Sequence, residues 1–352
     1  MKLKRILCAL LAVALMLALC ACYNPDTVAT YGEDKKLSAG QYLLYQYYAA
    51  KDTIDKQKAS SLAELLKTEI DGQPAEQYIQ KLALEYAARD IVIEKEFERL
   101  GLEMDVLTEY QVQYYSQYYW NNSASSSLEK NGISYSTYAA MAMLEQKSTM
   151  VFSKYYGEGG EYEVPVSELM EYYNSHYSAV KMITFPLKQQ DGIDLTAEQI
   201  AAATEAAQTI ADAVNGGMSF TDALVAYYTP VQETLGYTGG DLLTAETAES
   251  KLTAVTMYEG LSGYSAEHIK AALSTEIGKA NTFTVGGTNY VFVREAAFTD
   301  AESFSSLRTT ALQALKSDEY LELLSKMAGE QVSFEVDQKA VDYYSVKKIK
   351  GL

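Results

Sequence analysis

Histidine, the side chain best suited to acid–base catalysis near neutral pH, occurs only at His176 and His268. A Ser-His-Asp hydrolase would need one of them, yet the sequence has no Gly-x-Ser-x-Gly motif, and Gly260-Leu-Ser-Gly263 falls one residue short. No Cys/His cluster is spaced for zinc, and no Asp/Asn loop is spaced for calcium. We therefore expect no metal and no other cofactor. A glycosidase pair of carboxylates stays open, although no motif indicates one.

The stretch Tyr237-Thr-Gly-Gly-Asp-Leu-Leu243 contains paired glycines before an acid, a pattern that suits a phosphate loop, a metal loop or a turn. A phosphate loop would place a lysine after its glycines, and this stretch has none. A metal loop would need further ligands nearby. We interpret the stretch as a turn.

The elements that would position any site begin after residue 22, because residues 1–22 have the features of a lipoprotein signal peptide. A positively charged start is followed by the apolar run Ile6–Leu19, which suits a leader better than a membrane span. The run ends in Leu19-Cys-Ala-Cys22, which resembles a bacterial lipobox and predicts lipidation at Cys22. All three cysteines lie in this leader, so the body forms no disulfide. Ordinary signal cleavage is the alternative.

The composition of the 352-residue chain narrows its partners. With 48% hydrophobic residues it predicts a folded protein, and a formal charge of −18 argues against binding nucleic acid. An acidic body would be repelled by an anionic membrane, so attachment would depend on the lipid. Thirty tyrosines are unusual, because Tyr combines a large apolar face with a polar tip. Among them we predict peptide contacts at Tyr114, Tyr118 and the neighbouring Trp120; the alternative is helix–helix packing.

Residues 23–176 carry mainly helical signals after one short strand. The strand is expected near Thr27–Tyr31, and Ser38 with Gln41 has the form of a capping box that starts a helix. Further helices are expected over about 74–100, 104–120, 134–156 and 165–177, with a polar loop at 121–127.

The pattern changes after residue 176. Residues 180–187 are typical of a strand, and Thr196 with Gln199 predicts a second capping box. Gly286-Gly287 joins two β-rich runs, which predicts a hairpin. Helices are expected at about 197–215, 220–228, 268–275 and from Thr299 to a stop at Gly329, followed by a strand at 332–336.

This order of elements predicts an α+β protein. A mainly helical lobe would be built from both chain ends, residues 23–176 and 298–352, with a small α+β domain, residues 177–297, inserted between them.

Four short motifs carry a resemblance to a known family. The segments are Val28-Ala-Thr-Tyr-Gly32, Leu169-Met-Glu-Tyr-Tyr-Asn174, Gly239-Gly-Asp-Leu242, and His268-Ile-Lys-Ala-Ala-Leu273 followed by Gly278. Their order resembles that in extracytoplasmic foldase lipoproteins of the PrsA type and SurA-type chaperones. The inserted domain would then be parvulin-like, and the helical lobe would be similar to the SurA N-terminal domain.

The resemblance also implies where a peptidyl-prolyl isomerase site would lie. Parvulins carry one histidine on the first strand and one on the last, and those positions fall on Thr184 and Tyr290 here. The aromatic wall of the proline pocket falls on His268, and another pocket position falls near Tyr264. We therefore name no catalytic residue, and we list Tyr264 and His268 as peptide-binding candidates.

Three functions remain open at this stage. The resemblance favours a lipid-anchored folding factor on the extracytoplasmic face of the membrane that binds unfolded secreted proteins. The first alternative is an active peptidyl-prolyl isomerase with an atypical site. The second is a structural or solute-binding lipoprotein.

Overall fold

The computed structural model describes residues 24–188 and 194–352, and the chain divides into two compact units. The first unit contains the chain up to Glu163 together with Lys316–Leu352, and the second unit is Val164–Leu315. The first unit is mainly helical and is built from both chain ends. The second contains a four-stranded antiparallel sheet. The α+β class with a mid-chain insertion is confirmed. The leader and Cys22 lie outside the described residues.

The elements of the first unit begin with two strands and a long helix. In chain order they are β1 (Thr27–Tyr31), β2 (Lys35–Ser38), α1 (Ala39–Gln57), α2 (Leu62–Leu65), β3 (Glu69–Ile70), β4 (Gln73–Pro74), α3 (Ala75–Arg99), α4 (Val106–Tyr119), α5 (Ser125–Leu128) and α6 (Tyr135–Tyr156).

The elements of the second unit follow. They are α7 (Val166–His176), β5 (Tyr177–Pro186), α8 (Ala197–Asn215), α9 (Phe220–Tyr227), α10 (Thr229–Thr234), β6 (Thr253–Tyr258), α11 (Ala266–Ser274), β7 (Ala280–Val285) and β8 (Thr288–Glu295). Helix α12 (Ser305–Gln331) contributes residues to both units, and β9 (Phe334–Val336) and α13 (Gln338–Tyr343) complete the first unit.

The two ends of the chain meet in the sheet of the first unit, whose strand order is β2-β1-β9. Strand β1 pairs antiparallel with β9, with Ala29 opposite Val336 and Tyr31 opposite Phe334. The rings of Tyr31 and Phe334 meet edge to face at 5.7 Å. Beside this sheet, α1 packs on α3 through buried alanines such as Ala49 and Ala83, whose small side chains allow close approach of the helices.

Both capping boxes predicted from the sequence are present. The Ser38 hydroxyl accepts the Gln41 N–H at 3.3 Å, while the Gln41 side chain accepts the Ser38 N–H at 3.1 Å. Thr196 and Gln199 make the same exchange at the start of α8. Each box satisfies N–H groups that have no partner within the helix, so these helix starts follow from local chemistry.

The polar loop predicted at 121–127 is wrong. The backbone continues from α4 through a π-helical turn, Trp120–Ala124, directly into α5. The side chains of Asn122 and Ser123 bond back to the carbonyls of Tyr118 and Tyr119, at 2.7 Å and 2.9 Å. Both side chains are exposed, and each donates to the carbonyl four residues back, so they lie along the helix instead of opening a loop.

The helix stop predicted at Gly329 is also wrong, because α12 continues to Gln331. Gly329 is exposed, and a glycine inside a helix costs only about 1 kcal/mol relative to alanine. Packing of buried residues on this helix, including Tyr320 and Leu324, stabilises it beyond that cost.

The sheet of the second unit has the order β6-β5-β8-β7, so β5 and β8 form its centre. Strand β6 was not predicted. It is an edge strand along Tyr177–Met182, and only Met257 among its residues is buried, so it lacks the apolar alternation that reveals strands. One face of the sheet packs on α8 and α9 through residues such as Phe185, and the other packs on α11 through Met182 and its neighbours.

No helix among the described residues is long and apolar enough to span a membrane.

Candidate functional site

Thr184 and Tyr290 are direct partners across the central strand pair β5 and β8. They are the two positions where the family resemblance implies histidines. Side chains alternate between the faces of a strand, so Thr184 lies on the same face as the buried Met182. Tyr290 is half-buried against that same cluster. The central strands therefore present two hydroxyl groups on the α11 face of the sheet.

A cavity of about 460 Å³ lies over this pair. Both hydroxyl-bearing residues line it, as does Tyr264 just before α11. The remaining walls are Met182, Ile183, Pro186, Tyr228, Gln232, Tyr237, Asp241, Leu243, Lys251, Thr253 and Gly263. A volume of this size fits a small side chain or short peptide segment.

The paired glycines Gly239 and Gly240 form a turn beside this cavity. Gly239 has a positive φ of 57°, and Gly239–Asp241 forms one 3₁₀ turn. Beyond it, the Leu243 N–H donates to the Gln232 side chain at 2.8 Å, and the Leu243 carbonyl accepts from the Thr229 hydroxyl at 2.8 Å. The turn therefore delivers Leu243, which is buried, to the cavity wall.

His268 does not line the cavity. Only 6% of its surface is exposed, and its ring packs perpendicular to those of Tyr290 and Phe283, with centroids 4.4 Å and 4.8 Å away. The structure thus places this peptide-binding candidate beneath Tyr290, as support for the tyrosine ring and not as part of the cavity wall. His176 is exposed at the end of α7 and stacks on Tyr172.

The protonation state of His268 follows from its capping role. The backbone N–H of Ser265 donates to Nδ1 at 3.2 Å, so Nδ1 carries no proton and the neutral ring carries it on Nε2. The buried Nε2 has no hydrogen-bond partner among the described residues. Burial lowers the pKa of His268, since an imidazolium would be desolvated there. A neutral, buried imidazole of this kind cannot serve as an acid–base group for a substrate in the cavity.

The first unit carries a second candidate surface on α4. Five tyrosines there are more than half exposed, and we call them the tyrosine row: Tyr110, Tyr114, Tyr115, Tyr118 and Tyr119. Two pairs one turn apart are stacked, at 6.4 Å for Tyr110 with Tyr114 and 6.5 Å for Tyr115 with Tyr119. Ring faces and hydroxyls are both accessible, which suits adaptable contacts with extended polypeptide.

Trp120 is separated from this row, although it follows it directly in sequence. Its side chain is only 6% exposed, and it packs with Leu44 and Leu128 in a small core. Its ring also lies 5.8 Å from that of Tyr135. The structure therefore assigns Trp120 to helix packing, the alternative stated for it above, and leaves Tyr114 and Tyr118 on the surface.

Two structural features of the sites were not found from the sequence. The guanidinium of Arg294, on β8, is buried and donates to the carbonyls of Leu273, Thr275, Asn174 and Tyr177 at 2.5–3.3 Å. Asp90, on α3, accepts a hydrogen bond from the Tyr45 hydroxyl at 2.6 Å. The signal for the first is an arginine that directly follows the run Tyr290-Val-Phe-Val293. Asp90 has no comparable local signal.

No group of three or more His, Cys, Asp or Glu residues that could hold a metal occurs in the ranges 24–188 and 194–352.

The comparisons with known proteins identify similar structures at low identity. No family model matches the sequence, and no curated protein matches it. The foldase protein PrsA from Lactococcus lactis is 14% identical, with 91% of this chain and 99% of that chain covered and a TM-score of 0.36. PrsA from Streptococcus pneumoniae is 12% identical, with 89% and 96% covered and a TM-score of 0.39.

A SurA-like chaperone from Campylobacter jejuni is 8% identical, with 89% of this chain and 99% of that chain covered and a TM-score of 0.27. All three matches combine long coverage with identities of 14% or less and TM-scores below 0.4.

Proposed function

We propose that the chain is an extracytoplasmic folding factor that binds unfolded secreted polypeptides and has lost efficient peptidyl-prolyl isomerase activity. The observation that carries this proposal is the pairing of Thr184 with Tyr290 at the centre of the sheet. A parvulin-like site at this pair would have no histidine, because His268 is buried behind Tyr290.

The height of the isomerisation barrier is the reason to expect little peptidyl-prolyl isomerase activity from such a site. Rotation about a peptide bond costs about 18–20 kcal/mol, and uncatalysed isomerisation before proline takes tens of seconds or longer. Catalysis requires a water-excluding pocket with hydrogen bonds aimed at the twisted amide. The cavity over Thr184 and Tyr290 is lined by several polar residues, including Asp241 and Lys251. It is therefore better suited to weak binding than to the catalytic step.

Client binding is assigned to the tyrosine row of the first unit. Its stacked rings bind apolar and polar segments alike without strict sequence preference, as a folding factor requires. The overall charge of −18 keeps such a protein soluble and disfavours binding of acidic polymers.

The competing function is an isomerase with an atypical site, favoured by the hydroxyls of Thr184 and Tyr290 in the cavity. A proline tetrapeptide assay separates the two. We expect the body of the protein, residues 23–352, to leave the isomerisation rate at its uncatalysed value. A rate increase abolished by Thr184→Val and Tyr290→Phe together would establish the isomerase instead.

Suppression of aggregation tests client binding directly. The protein should reduce aggregation of a chemically unfolded secreted protein, and the double variant Tyr114→Ser, Tyr118→Ser should be weaker. Tyr227→Ser is the matched control, because Tyr227 is an exposed helical tyrosine of the second unit. Equal suppression by the double variant would remove the tyrosine row from the proposal, and no suppression by the unmodified protein would contradict the chaperone function.

The membrane anchor is proposed from the lipobox-like sequence ending at Cys22. Cys22→Ala should abolish incorporation of labelled fatty acid and move the protein out of the detergent phase. Unchanged partitioning would contradict lipidation while leaving client binding untouched.

A further inference from the structure

A second cavity, of about 300 Å³, lies within the first unit between α1, α3, α6 and the later part of α12. We call it the Asp90 cavity. Three tyrosine rings line it, those of Tyr45, Tyr48 and Tyr86, together with aliphatic side chains such as Met141. An adjoining cavity of about 320 Å³ shares Tyr45, Asp90 and Met141. Asp90 therefore contributes to the lining of both cavities.

Two carboxyl groups in the Asp90 cavity lack a cationic partner. Asp90 accepts one hydrogen bond, from the Tyr45 hydroxyl, and Glu145 lies at the mouth. Neither forms an ion pair with any residue that the structure describes. Burial raises the pKa of Asp90 to about 7 and also raises the pKa of Glu145. Burial is the largest cause of both shifts, and at Asp90 the positive charge of Arg89 offsets it only in part.

The positive charges nearby form no ion pair with either carboxyl group, although the charge of Arg89 acts on Asp90 through space. Arg89 lines the same cavity, but its guanidinium lies over the ring of Tyr86, 4.4 Å from the centroid. Lys147, two residues after Glu145 on α6, pairs with Glu94. The Asp90 cavity thus combines unpaired carboxyl groups with aromatic walls, and both features attract a cation.

We propose that the Asp90 cavity binds a primary ammonium group carried on an aliphatic chain. The ammonium would lie between the carboxyl groups of Asp90 and Glu145, against the faces of Tyr45 and Tyr48, and the chain would contact Met141. A compact ammonium fits between these two carboxyl groups better than a planar guanidinium, whose five fixed donors would find few acceptors there. A lysine side chain of a polypeptide and a free diamine share this chemistry.

The test is a calorimetric titration of residues 23–352 at a pH one unit above the pKa of Asp90. The probes are Nα-acetyl-lysine amide, cadaverine and the uncharged Nα-acetyl-norleucine amide. We expect at least about tenfold tighter binding of an ammonium probe than of the norleucine amide, a difference of about 1.4 kcal/mol. Tighter binding of the lysine amide indicates a polypeptide as the source, and tighter binding of cadaverine indicates a free diamine.

Variants locate the site. Asp90→Asn and Glu145→Gln should each weaken ammonium binding, and their combination should abolish it. Glu145 is exposed at the mouth, so Glu145→Gln tests the site without risk to folding. Glu109→Gln, an exposed acid on α4, is the matched control and should bind as the unmodified protein does. Equal affinity for the norleucine amide, absence of ammonium binding, or unchanged binding by both variants would overturn the proposal. These outcomes are independent of the aggregation assay.

Discussion

The ring of His268 stands perpendicular to that of Tyr290, with centroids 4.4 Å apart. It therefore supports Tyr290, which lines the cavity over the pair Thr184 and Tyr290. The imidazole also closes the capping box of α11, a role that Gln41 and Gln199 fill in the other two boxes. Glutamine at position 268 should therefore keep the capping box and remove the titrating imidazole.

We predict that His268→Gln changes how the stability of the second unit depends on pH. The folded-state pKa of His268 is lowered from 6.5, so the unfolded chain takes up the proton first as pH falls. The free energy of unfolding should be highest above pH 6.5 and should decrease below that pH. The glutamine variant should lack this decrease. Hydrogen exchange of α11 measured across this range checks it. The variant should be less stable overall because the ring contacts are lost, and a parallel decline in both proteins would contradict the prediction.

Asp90 makes the stability of the first unit depend on pH in the opposite direction. Its folded-state pKa is about 7, against 3.8 when exposed, so stability should fall as pH rises through this interval and level off above it. Asp90→Asn should remove the decline and raise the stability above neutral pH, by up to about 4 kcal/mol. Asp55→Asn, an exposed acid on α1, is the control. Denaturant unfolding monitored in α3 measures the effect, and equal slopes for the two variants would contradict it.

Arg294→Met should destabilise the second unit by about 3 kcal/mol or more, because four carbonyl groups lose a buried donor. Arg294→Lys should recover only part of this loss, since an ammonium cannot reach all four acceptors. Thermal unfolding is the measurement, with Lys270→Met on the exposed side of α11 as control. A loss under about 1 kcal/mol for Arg294→Met would show that the carbonyls find water instead.

Trp120→Ala and Tyr114→Ala should have very different effects on stability, although both residues belong to one aromatic stretch. Trp120 is 6% exposed and Tyr114 is 55% exposed. Truncation of the buried ring should cost about 3–5 kcal/mol, and truncation of the exposed ring about 0.5 kcal/mol or less. Chemical denaturation checks both values. Similar losses would mean that the tyrosine row is also structural.

Local signals in the sequence explain which parts of the fold were predictable. Ser38, Thr196 and the Gly286-Gly287 turn act through their own backbone neighbours, so their helices and hairpin were found. Strand β6 was missed because its partner, not its own pattern, makes it a strand. The turn at Trp120–Ala124 was missed because burial of Trp120 stabilises helix where small polar residues favour a loop.

The residues of the candidate site were named from the sequence, but their geometry was not. Thr184 and Tyr290 were identified by their place in the chain, and the register brings them together. The burial of His268, on α11, depends on Phe283 from β7 and Tyr290 from β8. No local sequence pattern predicts these contacts. Asp90 lies on a helix with ordinary spacing, and its altered pKa arises only when α1 and α6 enclose it.

The pairing of β1 with β9 sets the order in which the two units can be completed as the chain emerges, whether from the ribosome or, for the extracytoplasmic protein proposed above, from the export channel. Strand Thr27–Tyr31 is made early, but its partner Phe334–Val336 is made roughly 15 to 60 s later at ordinary translation rates. The whole second unit, which ends at Leu315, emerges in that interval and can fold first. During the same interval the edge of β1 that later receives β9 is open to pairing with other chains. The first unit, whose N-terminal residues are made first, is therefore completed last. The nascent chain passes through a stage in which the second unit has folded and the first unit is still incomplete.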